Sequence, residues 1–169
     1  MSQSSDVFRS MTGEESVAFF QGLRDEVRPL YKQAEIVSAA SLRVRPVFLG
    51  KQPFAKRCEM MRKALAMKIN AEASGEILAT YFMDKHKEEL GELLDLLKIE
   101  HDEGSLKSTN PPQPDEKLIK SATKKFLAGE KPVMRSVILK VFAGQGAIDW
   151  PALDEMLFGA PAKAASEKT

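Results

Sequence analysis

Apolar residues recur at three- and four-residue spacing in one segment after another, and that period constrains the chain more than any other feature. Phe19, Phe20, Leu23, Val27, Leu30, Tyr31 and Ala34 line one face over about six turns of helix. On a strand the same positions would scatter over both faces. Phe54, Cys58, Met61, Leu65 and Ile69 form a further stripe, with Met60, Ala64 and Met67 as a second on another side, which places that helix centrally and covers it twice. Leu78 and Phe82 face inward in the next helix. Leu90, Leu93, Leu94 and Leu97 then oppose Glu88, Glu92 and Asp95 in the clearest amphipathic helix of the chain. The expected class is all-α, a compact bundle of six or seven helices with an extended connector near residues 40–52.

Boundaries follow from the caps and breakers. Residues 1–11 read as a flexible lead, and Thr12 with Glu15 forms a capping box that opens a single helical domain over 12–158. Pro29 marks a kink or a fresh helix start. Arg43, Arg45, Pro46 and Gly50, mixed with Leu42, Val44, Val47, Phe48 and Leu49, read as an extended crossing, because a proline disfavours the helical region for the residue before it. Pro53 suits the first turn of the next helix. Residues 12–100 make the larger layer, and Asn110, Pro111, Pro112 and Pro114 mark a loop over 101–114. The helices of 115–158 are expected to pack back through Phe126, Val137, Val141 and Trp150. Gly144 and Gly146 are expected to end one of them, Asp149 to cap the last, and 159–169 to form a flexible tail.

Composition narrows the class. A chain of 169 residues fits one domain. No apolar run approaches the ~20 residues that span a bilayer, and Met1 to Met11 lacks a secretory profile. Cys58 stands alone, so no intrachain disulfide exists, and a cytoplasmic protein with no membrane partner is the expectation. Twenty-five basic against 24 acidic side chains remove the global excess of a nucleic-acid coat.

Catalytic signatures are thin. His86 and His101 lack metal-ligand spacing, and His101, Asp102 and Glu103 are a metal candidate only by adjacency, a solvated loop being the plainer reading. Cys58 lies on an apolar stripe and reads as a small core residue despite Arg57 and Arg62 nearby. Gly144-Gln145-Gly146 lacks the strand and third glycine of a dinucleotide fingerprint. Trp150 reads as a packing residue, with a partner anchor as the sharper alternative. A helix-turn-helix over 64–78 fails, because its second helix carries Glu72 and Glu76 and no cation through Met83. No catalytic, cofactor or metal residue is assigned.

Charge segregation is the informative feature. Arg43, Arg45, Lys51, Lys56, Arg57, Arg62, Lys63 and Lys68 are opposed only by Glu59, whereas Glu88, Glu89, Glu92, Asp95, Glu100, Asp102 and Glu103 are opposed only by Lys98. The first seven cations are the interaction candidates. The expected function is a non-enzymatic helical interaction or regulatory domain that binds another protein or itself. The alternative is nucleic-acid association through phosphates contacted by residues 43–68, and the third reading an enzyme or metal-binding protein of unrecognised type.

Overall fold

Ser4–Ser10 form the first helix, α1, and bury Val7 and Phe8 completely. The expectation of a flexible lead is corrected there: two large apolar side chains spaced one apart are too short a pattern to read, yet they fill the centre of the core. The computed structural model describes residues 3–145 and 148–159. Among them follow α2 (Gly13–Glu26), α3 (Arg28–Leu42), α4 (Pro46–Gly50) and α5 (Phe54–Leu65). A 3-10 turn at Lys68–Asn70 leads to α6 (Ala71–Lys85) and α7 (Lys87–Leu96). A hairpin of β1 (His101–Asp102) and β2 (Ser105–Leu106) precedes α8 (Glu116–Leu127), α9 (Pro132–Gln145) and α10 (Pro151–Phe158). The all-α class holds. Among the described residues ten helices replace the six or seven expected, because α1 is ordered, the chain restarts at Val27, and the connector contains α4.

Local chemistry explains the starts. The Glu15 amide donates to Thr12 Oγ1 (3.1 Å) and the Thr12 amide to Glu15 Oε1 (3.0 Å), so the expected capping box opens α2. Thr12→Ala is expected to cost about 1 kcal/mol, read as a lowered urea midpoint with unchanged slope. Pro29 stands in the first turn of α3, where its missing N–H is harmless. The extended connector expected near 40–52 is instead mostly helical: α3 runs on to Leu42, and only the residues around Arg45 (φ −75°, ψ 143°) are extended before Pro46 starts α4. Glu103 (φ 48°) and Gly104 (φ 88°) make the two-residue turn of the hairpin inside the expected loop, with His101 opposite Leu106.

Two aromatic groups anchor the interior. Phe8, Phe19, Phe20, Tyr81 and Phe82 form one, with edge and stacked contacts at centroid distances of 5.0–6.3 Å. Phe142 and Trp150 form the other, edge-on at 5.5 Å. α9 joins the halves, packing against α1, α2, α6, α7, α8 and α10. Phe126, Val137, Val141 and Trp150 are all buried, as expected of the return packing. Gly144 lies inside α9 rather than ending it, and the absence of its side chain lets Val7 and the Gln3 carbonyl of α1 come close. Gly146 and the tail from residue 160 lie outside the described residues. α10 has Trp150, not Asp149, at its cap position.

Candidate interaction surface

α3 and α5 run in the same direction. Near their starts, Arg57 Nη1 donates to Tyr31 Oη (3.2 Å); near their ends, Asn70 Nδ2 donates both to Ser41 Oγ (2.7 Å) and to the Ala64 carbonyl (2.7 Å). Two parallel helices need a return path between them, and residues 43–53 supply it. α4 is the folded part of that path, held down by buried Leu49 and packed on α3.

This geometry divides the expected cations into two groups. Arg57 is spent on structure: Nη2 donates to the carbonyls of Gly50 (2.6 Å) and Gln52 (3.1 Å), clamping the return path to α5. Arg62 is spent likewise, forking onto Glu59 (2.6 and 2.9 Å) and donating to the Phe8 and Arg9 carbonyls of α1. Their mutual hydrogen bonds lower the Glu59 pKa and raise that of Arg62. Lys63 is exposed and lies 3.9 Å from Glu59. Arg43, Arg45, Lys51 and Lys56 are exposed and have no ion-pair or hydrogen-bond partner among the described residues. Four of the seven candidates therefore remain available without competition. No aspartate or glutamate occurs from Ile36 to Cys58.

Among these cations sit apolar side chains that the sequence reading missed. Val47 is 66% exposed and Phe48 50%, on α4, while Ile69 is 84% exposed in the 3-10 turn beside exposed Met67 and Lys68. The Asn70–Ser41 bond brings that turn to the end of α3, and Ile36 stands exposed on α3 itself. Ile69 was expected on the inner stripe of α5. The helix ends at Leu65, so the four-residue phase that would have turned Ile69 inward is lost. Of the expected second stripe, Ala64 is buried and Met60 half-buried against the core, while Met67 lies past the end of α5 and is exposed. Apolar residues next to cations between Leu42 and Lys51 were the one available signal.

Arg43 adds a further mark. It closes α3 in the left-handed conformation (φ 55°, ψ 42°), with the Val44 amide donating to the Ala39 carbonyl (3.0 Å). Glycine is the unstrained residue there, and an L side chain costs about 1 kcal/mol. Lys98 (φ 58°) and Lys131 (φ 55°) adopt the same region elsewhere in the chain.

The acidic segment does not neutralise this surface. Glu92 accepts from Arg135 (2.9 Å), Asp95 faces His101 (2.7 Å) and Glu103 faces Lys87 (3.4 Å), so those carboxylates are taken up by α9, the hairpin and α7.

The other candidates resolve into structure. His101 Nδ1 accepts from the Gly104 amide (3.0 Å), which leaves Nε2 to donate to Asp95 Oδ1 (2.7 Å). His101 faces Asp95 and Glu103 faces Lys87, and among the described residues no three ligating side chains are placed to hold a metal. Cys58 is fully buried, and burial pushes its thiol up to about 11, far from a reactive thiolate. Tyr81 donates to Glu26 Oε1 (2.9 Å) and meets His86 Nε2 (3.2 Å). Burial first, and the Glu26 carboxylate next, raise its phenol well above the usual range. No helix among the described residues is long and apolar enough to cross a membrane.

What the fold defines is an all-α domain with an apolar–basic surface along α4. No family model, curated protein or solved structure matches the chain.

Proposed function

We propose that the chain is a non-enzymatic helical interaction domain whose docking face is α4 with the end of α3 and the 3-10 turn. Its partner is another protein that presents an acidic helix with an apolar stripe. The observation that carries this reading is the exposure of Val47 and Phe48 on α4 among the unpartnered cations Arg43, Arg45, Lys51 and Lys56, with exposed Ile69 in the turn that Asn70 ties to the end of α3. Burying each large apolar side chain is worth about 1.5–3 kcal/mol, against ~0.2–1 kcal/mol for an exposed ion pair. The apolar residues therefore supply affinity and the cations orient and steer the encounter. Nucleic acid is the second reading, favoured by the acid-free stretch of Ile36 to Cys58, but exposed aliphatic side chains contribute little to phosphate binding.

The test uses the full chain, a synthetic amphipathic Glu/Leu helix and a duplex DNA fragment, at low and high salt. Saturable peptide binding that Phe48→Asp weakens at least tenfold, with thermal unfolding unchanged, is the expected result. Retention on DNA that Phe48→Asp leaves intact, with no peptide binding, would overturn it. Light scattering of the protein alone at both salt concentrations separates self-association, in which a second copy's acidic residues take the partner's place.

A further inference from the structure

We propose that the half-open pocket between α6, α7, α9 and the hairpin is a binding site for a small, neutral, apolar molecule. It stands apart from the docking face, since α3, α4 and the 3-10 turn contribute nothing to its lining. Its volume is ≈ 320 Å³, within the range of about 300–1,000 Å³ for small-molecule pockets. At the ~30 Å³ a heavy atom with its hydrogens occupies in a liquid, about ten non-hydrogen atoms fit.

The lining decides the chemistry of the guest. Phe82, Leu90 and Phe142 form buried walls, and Leu106 covers them from the hairpin. Among the described residues no charged side chain lines the space, and Ser105 provides the one hydroxyl. A charged guest would lose its hydration with no counter-charge to replace it. Water in this half-open space meets few polar partners, and an apolar guest that displaces it restores dispersion contacts with the walls.

The cover is built rather than incidental. A chain running from α7 to α8 has no need to fold back over α6, yet it makes a tight turn and fastens it to α7. His101 bridges the hairpin to Asp95 (2.7 Å) and receives the Gly104 amide (3.0 Å). Gly91 leaves room for that imidazole, since a Cβ there would stand 3.1 Å from His101 Cε1. Gly104 has positive φ and lies so close to the Lys87 carbonyl (a Cβ would stand 2.6 Å from its oxygen) that no side chain fits. Ala79 and Met83, both exposed, form the mouth with Ser105.

The molecule carries its own reporter. Trp150 is the only tryptophan and touches Phe142, one wall of the cavity, edge-on at 5.5 Å. Titration of the full chain with 1-octanol is expected to give a saturable change in tryptophan fluorescence, with Kd on the order of 10–100 µM. Octanoate, of equal length but charged, should bind at least tenfold more weakly. Ala79→Phe fills the mouth from an exposed position and should weaken octanol binding at least tenfold with unchanged thermal unfolding. Should that variant fail to fold, Leu106→Phe fills the space from the hairpin instead. Absence of saturable octanol binding by both fluorescence and calorimetry overturns the proposal, as does undiminished binding in the filled variant. Equal affinity for octanoate overturns the neutral class.

Discussion

Replacing Lys140 by methionine is expected to destabilise the fold by about 3–5 kcal/mol and to lower Tm by on the order of 10 °C. Lys140 Nζ lies 2.7 Å from Glu15 Oε1, and the two side chains are only 12% and 7% exposed. The ammonium also donates to the Ser10 carbonyl (2.8 Å), while Glu15 accepts from the Thr12 amide (3.0 Å) and the Ser136 hydroxyl (2.9 Å). One buried pair thus ties α9 to the start of α2 and the end of α1. Methionine keeps most of the volume, so the loss comes from leaving a buried carboxylate without its counter-charge.

The pH dependence identifies that cause. Burial alone would raise the Glu15 pKa, but the Lys140 ammonium, the Thr12 amide and the Ser136 hydroxyl outweigh it and hold it below the ordinary 4.5. A carboxyl depressed in the folded state stabilises above its unfolded value, and that stability is lost as pH falls below about 4.5 towards the folded value. In Lys140→Met the sign reverses: the unpaired carboxyl is raised, and the folded state gains as it takes up a proton. The gap in Tm between the two proteins should therefore narrow from pH 7 to pH 4. A gap that does not move with pH would mean that the loss is packing and not charge.

Trp150→Ala is expected to cost a further distinct 3–5 kcal/mol or so, and to free a segment far from it in sequence. The indole is 1% exposed, packs on Phe142, and donates through Nε1 to the Pro111 carbonyl (2.8 Å). On either side of it, the Asp149 amide donates to Asn110 Oδ1 and the Ala152 amide to Gln113 Oε1, each at 3.1 Å. The loop side chains thereby satisfy open amides at the start of α10, where the Trp150 side chain supplies no cap. Loss of the indole should release the loop, read as faster tryptic cleavage at Lys107 under conditions where the rest stays folded. Trp150→Phe keeps part of the packing but strands the buried Pro111 carbonyl, an expected cost of about 1–3 kcal/mol. Unchanged cleavage in Trp150→Ala would show that the loop is held by other contacts.

These two positions differ in how much of their role was legible. Trp150 was expected as packing for the last helix, because a lone large aromatic at a helix start has few other uses. Its clasp on Pro111 was not, since a separation of 39 residues leaves no local trace. Glu15 was legible only as half of a capping box. Its burial depends on α9 arriving with a lysine at the right turn, which no spacing within α2 records. Ser4 to Ser10 was lost for a related reason: its buried face is half serine, so Val7 and Phe8 alone give little apolar period, and their worth lies in the packing against α2, α5, α6 and α9.

The proposed docking face shows the same division. Its location between Leu42 and Lys68 followed from charge order in the chain. Which cations are free did not, because Arg57 and Arg62 are consumed by the parallel run of α3 and α5 and by the docking of α1. By itself, the sequence determined the all-α class, the inward faces of most helices and the cap at Thr12, all of which rest on residues within about four positions of one another. Only the tertiary structure decided that Ile69 faces out, that Glu15 meets Lys140, and that a hairpin covers an apolar cavity. Each of these depends on which helices meet and in which direction they run, and the free energy of burial is assigned by that meeting rather than by the neighbours in the chain.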